Sequence, residues 1–542
     1  MRDVIVVGAG AGGPVVAKEL AARGLDVLML EAGRAWEDPE REWSHDENVA
    51  NNPATGIFRF GPGDRTQAPW ARDLPQNCFV WQTAGVGGST LHYFGNSPRA
   101  MPDALPGYAD LIPYYEWVEH TLPVQTAAMG TKEELFLRAA TKLGLPTQTA
   151  KDISRAACRP QENAILQPHG TAGRTRIAKQ LVYPRAKGCT FCGHCPQGCF
   201  LPLKAPLNLK AKRSTHVSYV PMALTADRWT RGRALTLVPD AFAVKVGADG
   251  DARSVTWRNT RTGTLSTDEA KVVVLAAGAI ETPRLWLNSG LPNPDDQVGR
   301  GLTDHYLDFV VGRLPRYTGS SKGPTSAARA DFPGYGCIEQ AGVAPGLQAQ
   351  GLTDSNEPRL RLHGPRLRRF LSDVDRLIAV AVITADDVSP RNRVTLSTAV
   401  SPDAHGPIAR VELRERTAST LERREYLAGR AVQLVRAAGA REVVRMNWAP
   451  VLLHIHTTMR MGAVVNGDCE SLAVERIFVA DNSALPNSLG GPNPTLTTQA
   501  LATRTAERIF VRYFGGDAWV GRESPVSSID DTVTRAVLAA GL

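Results

Sequence analysis

An apolar run, Val4-Ile5-Val6-Val7, passes without a break into Gly8-Ala9-Gly10-Ala11-Gly12-Gly13, then into an Ala-rich stretch, and a second apolar run ends at Glu31. Little besides a strand, a tight turn, a helix and a second parallel strand accommodates that order. A strand buried on both faces reads as continuous Val/Ile/Leu, and Gly8 permits the turn out of it. Gly10 lets the backbone approach a pyrophosphate, whose charge would rest on the amides and positive end of the following helix. Gly13 lets that helix lie close on the strand, and Glu31 is placed to accept hydrogen bonds from a ribose. The expectation is a Rossmann-like dinucleotide-binding unit at the start of the chain.

No basic region, apolar core and small-residue cleavage site precede the first strand, and no apolar run reaches the roughly 18 residues of a membrane span. A soluble, cytoplasmic chain with no integral membrane span is therefore expected. The 542 residues allow two or more domains, and 21% charged with 43% hydrophobic residues is ordinary globular composition. The net charge of +8 is small for this length and its signs are interspersed, so no nucleic-acid partner is expected. One basic stretch, from Arg359 to Phe370, reads as a solvated face around Gly364-Pro365, with an anionic membrane surface, a redox partner or an acidic substrate as alternatives.

Pro- and Gly-rich turns from Pro53 to Trp70 lead to a second Gly cluster within Trp81–Tyr93. Lys271–Gly278 reads as a buried strand ending in small residues, followed by a helix over Glu281–Leu287, so the chain is expected to re-enter the first sheet. Residues 303–449 differ. Alternating segments such as Arg393–Ser397 and Ala409–Leu413 read as strands of an antiparallel sheet, with a helix over Ser419–Ala438 beside them.

The order of motifs resembles the glucose–methanol–choline (GMC) oxidoreductase family, from Gly8 to about Phe514. The resemblance rests on Gly8-x-Gly10-x-x-Gly13 with Glu31, Gly85–His92, Ala276–Arg284, Val298–His305, His454–Gly462, and Phe478–Ser483 with Asn493–Thr497. It falls in a Cys-rich branch that includes long-chain alcohol oxidases and flavin subunits of bacterial sugar dehydrogenases. The implied fold is α/β plus antiparallel β: a Rossmann-like FAD-binding domain with an inserted substrate-binding domain built on an antiparallel sheet flanked by helices. The divisions are 1–302 for the FAD domain with a Cys-rich loop at 185–203, 303–449 for the substrate domain, 450–514 for the return, and 515–542 for a tail whose helix, Ile529–Ala540, is read as packing on a neighbouring subunit.

By this resemblance the chain oxidises an alcohol to an aldehyde or ketone, passing the carbinol hydride to N5 of FAD. His454 falls on the family's catalytic base and Asn493 on its hydrogen-bonding partner. The chemistry is reasonable for these residue types, because an alcohol needs a base with a pKa near the operating pH, and a fixed amide can steady the developing alkoxide. His456 lies two residues on, and on an extended segment would face the same side as substrate contact, auxiliary base or the base itself. Cofactor contacts are implied at Gly87, Gly88, Ser89, Ala277, Gly278, Asp481, Pro494 and Thr495, with a helix over Thr497–Ile509. His92 lies where some sugar-oxidising members attach FAD covalently; non-covalent FAD is preferred here.

Cys189, Cys192, Cys195 and Cys199 have the Cys-x2-Cys-x2-Cys-x3-Cys spacing that holds iron–sulfur clusters in bacterial ferredoxins. Three readings stand: an iron–sulfur cluster relaying electrons, a structural zinc ion, or thiols that are bare or paired as disulfides. Cys78, Cys158, Cys337 and Cys469 read as buried small hydrophobes.

Pocket walls are expected from Ser320–Asp386, and their lack of clustered acids and amides suggests a bulky primary or secondary alcohol, with a sugar or glycoside as the alternative. The electron acceptor is oxygen, a quinone or a carrier protein, with dehydrogenase placed ahead of oxidase. A non-enzymatic alternative is an electron-transfer or redox-sensing flavoprotein.

Overall fold

The computed structural model describes residues 1–35, 60–64, 66–76, 78–168, 188–248, 250–342, 345–353, 361–446 and 451–542. The first part of the Pro53–Trp70 turns, Arg359 and Leu360 of the basic stretch, residues 185–187 of the Cys-rich loop and the boundary at 449–450 lie outside the described residues.

Strand β1 (Arg2–Val7), helix α1 (Gly13–Ala21) and strand β2 (Val27–Leu30) open the chain, followed by α2 (Tyr108–Thr121), α3 (Thr131–Lys142) and β3 (Ala157–Pro160). Then come β4 (Thr236–Val238), β5 (Ala241–Gly247), β6 (Arg253–Asn259), β7 (Leu265–Leu275), α4 (Gly278–Asn288), β8 (Leu307–Arg313), β9 (Ala328–Phe332) and β10 (Gly336–Ala341). The rest is α5 (Gly364–Ser372), β11 (Leu377–Thr384), α6 (Ala418–Ala437), β12 (Glu442–Met446), β13 (Ile477–Val479), α7 (Thr495–Phe514) and α8 (Asp531–Ala539).

The first sheet runs β4-β2-β1-β7-β6-β5, with β13 joining β7. Its core is parallel: β2 pairs with β1 and β4, and β7 with β1 and β13. Val4–Val7, Val27–Leu30, Val272–Leu275 and Ile477–Val479 are uniformly apolar because both faces are covered there. Val4, Val6, Val27, Met29, Val272 and Val274 pack beneath α1, α2 and α7. Ile5, Val7, Leu28, Leu30, Val273 and Leu275 pack on the other face with Leu285 and Trp286 of α4. Along the edge away from β1, strand β7 serves two partners in turn, since Leu265–Ala270 pair antiparallel with β6 while Val273–Leu275 pair parallel with β13.

The second sheet runs β12-β8-β11-β10-β9-β3 and is antiparallel throughout. Its faces divide by the two-residue period of a strand. Val310, Ile338, Ile378, Val380 and Val382 pack with Phe136 of α3 and Leu427, Leu434 and Val435 of α6. Leu307, Phe309, Val311, Ala379, Ala381 and Ile383 look toward the first sheet's domain and line a cavity.

Three expectations change. Edge strand β3 belongs to the second sheet although it precedes residue 303, because four residues, Ala-Cys-Arg-Pro, carry no period that sequence reading can detect. The alternating segments are strands at Arg393–Leu396 and Ala409–Glu412, but they pair with each other in a separate ribbon. Val394, Ala409 and Val411 of that ribbon pack on Ala279 and Ile280 of α4. The tail helix packs within its own chain, where Val533 and Val537 bury against Met222, Leu207 and Trp229. Just ahead of it, Ser528 accepts from Arg213 and donates to the Thr121 carbonyl.

The basic stretch forms α5, with Phe370 and Leu362 buried, Arg366, Arg368 and Arg369 exposed, and Arg369 paired with Glu442 at 3.0 Å. Among the described residues no helix is long and apolar enough to cross a membrane.

Because one face of α8 is buried in its own chain, Val537→Ala should cost about 1–3 kcal/mol by leaving a cavity, read as a lowered melting temperature, while sedimentation velocity shows the same mass as the parent.

Candidate active site

The C-terminal ends of β1, β2 and β7 converge on a cleft lined by Gly8, Gly10, Glu31, Ala277, Gly278 and Asp481 among others. Gly8 has φ +105°, and a Cβ there would stand 2.4 Å from the Ala276 carbonyl oxygen. A Cβ on Gly13 would meet the Gly8 carbonyl oxygen at 2.1 Å, so α1 can approach β1 only with glycine there. Gly10 differs, since its Cβ would meet nothing within 4 Å. It borders open space at the start of α1, whose N-cap Gly12 offers no side chain to occupy the first amides.

The Glu31 carboxylate is fixed by the backbone amides of Ala9, Gly33 and Gly85, at 2.8, 2.9 and 2.9 Å. It thus ties the first glycine turn to the second. The Gly87 amide completes the tie, donating to the Ala9 carbonyl at 2.8 Å, and Gly88 and Ser89 follow along the cleft wall. On the far side the Asp481 carboxylate accepts from the Gly278 amide at 2.9 Å and the Thr282 hydroxyl at 2.6 Å. An open-ended helix dipole, a glycine beside empty space and an acid at the end of the second strand suit the pyrophosphate and ribose of a dinucleotide. FAD fits these residues.

A second cavity, of about 300 Å³, adjoins this cleft. Ala11, Trp81, Ser89, Leu453 and Asn482 line both. Its floor is the inner face of the second sheet, and its wall includes His92, Asn96, Glu339, His454, Asn493, Pro494 and Thr495. Pro494 caps the N-terminus of α7 without a side-chain hydrogen bond, and no acid stands in that helix's first turn. A second positive helix end therefore faces this second cavity.

His454 and Asn493 meet here. His454 Nε2 lies 3.5 Å from Asn493 Nδ2, and His454 Nδ1 lies 2.8 Å from Nδ1 of His305. His305 Nε2 in turn lies 2.9 Å from the Ser488 carbonyl oxygen. Burial, with His305 alongside, holds the His454 ring well below the usual imidazole range, so it is uncharged at neutral pH. The backbone amides of Leu453 and His454 both donate to Asp304, at 3.3 and 2.7 Å. Burial pushes the Asp304 carboxyl up to about 7.

His456 is fully buried and is not among the residues lining either cavity. The chain turns after it, with Thr457 at φ +70°, and its ring lies 5.0 Å from that of His305. Among the described residues neither of its ring nitrogens has a hydrogen-bond partner. His92 has Nδ1 3.0 Å from the Thr83 hydroxyl, and its own burial, then the Lys212 charge, lower its pKa.

Sequence reasoning assigned no role to Asp304 and His305, although both stand in the quoted Val298–His305 motif. It also missed a polar corner in the cavity. Asn96 Nδ2 donates to Glu339 at 2.8 Å, and Arg329 pairs with Glu339 at 3.2 Å and with Asp331 at 2.7 Å. The Asn493 side chain also hydrogen-bonds to Glu339. Among the described residues the amide oxygens Asn96 Oδ1 and Asn493 Oδ1 have no partner. One acid on a short strand gives no sequence signal.

Of the three readings of the cysteine loop, the geometry agrees with bare thiols. Cys189, Cys192, Cys195 and Cys199 are free thiols, and among the described residues no group of three or more His, Cys, Asp or Glu side chains is placed to hold a metal ion. Cys189 and Cys195 pack instead with Ile165, Phe191 and Ala211. Burial, and then the neighbouring thiols of the loop, raise the pKa of Cys189, Cys192 and Cys199. The loop is closed by Lys212, whose ammonium donates to the carbonyls of Leu91, Tyr93 and Cys195 at 2.7, 2.9 and 2.7 Å.

Two family models described as GMC oxidoreductase match residues 160–307 and 388–502. A 6'''-hydroxyparomomycin C oxidase from Streptomyces lividus is 29% identical, over 94% of this chain and 91% of that protein. A 2-methyl-1,2-propanediol dehydrogenase from Mycolicibacterium austroafricanum is 27% identical, over 94% of this chain and 95% of its own. Among solved structures, pyridoxine 4-oxidase from Mesorbium loti shares the fold with a TM-score of 0.63 at 17% identity, covering 95% of this chain and 100% of that one.

Two outcomes test this geometry. Gly10→Val adds side chain only into open space, so the variant should melt like the cofactor-free parent yet purify without bound flavin. Cys192→Ser should leave the visible spectrum unchanged, and elemental analysis of the parent should find no stoichiometric iron or zinc.

Proposed function

The chain belongs to the GMC oxidoreductase family and is a flavin-dependent oxidoreductase of CH–OH groups, and from that premise we propose that it oxidises a bulky primary or secondary alcohol with His454 as base and Asn493 as hydrogen-bond partner. The observation that carries the reading is the meeting of His454 Nε2 and Asn493 Nδ2 in the wall of a cavity that opens onto the nucleotide cleft. Gly8, Gly10, Gly13 and Glu31 would hold the pyrophosphate and ribose of FAD, with Gly87, Gly88, Ser89, Ala277, Gly278, Asp481, Pro494 and Thr495 along the remainder. FAD, when bound, supplies the hydride acceptor at N5.

A gap of 3.5 Å between Nε2 and Nδ2 is long for a direct bond, and leaves a notch that a carbinol oxygen can share. In that notch the hydroxyl donates to His454 and accepts from Asn493. As the C–H bond breaks, the hydroxyl proton passes to His454 Nε2, while the Asn493 amide holds the oxygen in place. A positioned general base contributes about 10²–10⁴-fold. The Asn493 amide is itself oriented by Glu339. His92, held by Thr83, is read as a wall residue beside non-covalent FAD. His456 stands behind His305 and takes no part in proton transfer.

The apolar floor of Leu307, Phe309, Val311 and Ile383 supports a bulky apolar substrate body. A sugar or glycoside is the second reading, favoured by the Glu339–Asn96 corner, whose unpaired amide oxygens suit further hydroxyl groups. The names of two relatives, a 6'''-hydroxyparomomycin C oxidase and a 2-methyl-1,2-propanediol dehydrogenase, support a substrate with more than one hydroxyl group. Electrons must leave the flavin for oxygen, a quinone or a carrier protein without a relay in the cysteine loop, so the ground for placing dehydrogenase ahead of oxidase falls away. A reducing, cytoplasmic setting suits the eight free cysteines. The electron-transfer or sensor alternative has no support beside this site.

Anaerobic mixing with the alcohol tests the base. His454→Ala should stay yellow but bleach about 10²–10⁴-fold more slowly than the parent; bleaching at the parent rate rules His454 out. Asn96→Leu should lower kcat/KM for a polyhydroxy substrate by about tenfold or more, the worth of one hydrogen bond of about 1.5 kcal/mol, and leave a plain alkanol nearly unchanged.

A further inference from the structure

We infer that His305 is a positioning residue that fixes the tautomer of His454, so that the lone pair of His454 lies on Nε2, facing the substrate cavity. The inference rests on the assignment of His454 as base and adds which of its nitrogens is poised, and why.

The argument starts at Ser488. Its carbonyl oxygen can only accept, so the 2.9 Å contact requires a proton on His305 Nε2. A neutral imidazole carries one N–H, which leaves His305 Nδ1 as an acceptor. Burial keeps His305 neutral, pushing its pKa down to about 4. The 2.8 Å contact between the two Nδ1 atoms then needs a proton, and only His454 can supply it. With Nδ1 protonated and the ring uncharged, His454 Nε2 is left bare, 3.5 Å from Asn493 Nδ2.

Local packing holds the pair in this arrangement. The two rings stand edge to face, with centroids 4.9 Å apart and planes at 78°, which aims one Nδ1 at the other. Asp304 grips the backbone of Leu453 and His454, so two consecutive residues hold the base, one by its main chain and one by its ring. His456 lies beside the His305 ring, and both are fully buried, while the His454 ring is exposed only toward the cavity that it lines. During turnover the carbinol O–H breaks, N–H forms at Nε2, and the existing Nδ1–H donates more strongly to His305 as His454 becomes cationic. With the opposite tautomer Nε2 would bear a proton and could accept none.

Holoenzyme containing ¹⁵N-histidine reads the tautomer directly, the His454 signals being assigned by their loss in His454→Ala. Protonated Nδ1 with unprotonated Nε2 is expected; the reverse overturns the inference, whatever the variants do. In stopped-flow flavin reduction, His305→Leu should slow the limiting rate by about 10²-fold or more, as mis-set tautomers do, with a smaller change in apparent substrate affinity. His305→Asn, whose Oδ1 can stand near the place of Nδ1 and accept from His454, should recover about tenfold or more of that loss. A Leu variant as fast as the parent, or an Asn variant no faster than the Leu variant, overturns it. These results leave the base in place, whereas His454→Ala bleaching at the parent rate removes the base and this inference together.

Discussion

Parallel pairing on both sides of β7 is the constraint on which the rest depends. Its last residues pair with β1 along one edge and β13 along the other, so residues near 7, 275 and 479 end side by side. That convergence puts three strand exits at one end of the sheet, where an α/β fold presents its crevice. The tolerances are tight: a Cβ on Gly12 would stand 1.9 Å from the Ala480 carbonyl oxygen. The return strand also delivers Asp481, Asn482 and α7 to the mouth of the cleft. Without this pairing the first glycines and the last imidazole would share no site.

The substrate side is built on a different principle. An antiparallel sheet backed by α3 and α6 carries a buried ionic chain running from Glu339 through Arg329 and Asp331 to Arg159. Such a chain adds little net stability, since each charge loses its water, but removing one member strands the others. What it provides is a fixed direction for Glu339, and through Glu339 for the amides of Asn96 and Asn493. Glu339 thus sits on a strand and steadies two amides carried by connecting segments.

Much of this was legible in the residues, and the exceptions have physical reasons. The strand–turn–helix from Val4 to Gly13 was legible because steric demands at Gly8 and Gly13 leave few alternatives. The helix over 418–437 was legible because twenty residues show a clear period. Strand β3 was not, being four residues long and paired with partners some 170 positions away. Cysteine spacing misled because it reports which thiols are near in the chain. Whether they converge depends on Lys212 and on apolar packing that spacing does not encode. His305 was visible as a motif residue, but its role depends on a carbonyl at Ser488 that no pattern connects to it.

The alternation of the second sheet has a consequence for how such a protein can change. Leu307, Phe309 and Val311 of β8 and Ala379, Ala381 and Ile383 of β11 face the cavity, while Val310, Ile378, Val380 and Val382 face the helices. Mutations at the first set reach the chamber directly, whereas those at the second act on the packing against the helices and do not touch the chamber wall. Selection for new substrates therefore has a ready-made keyboard of alternate positions, separable from the His454–Asn493 pair.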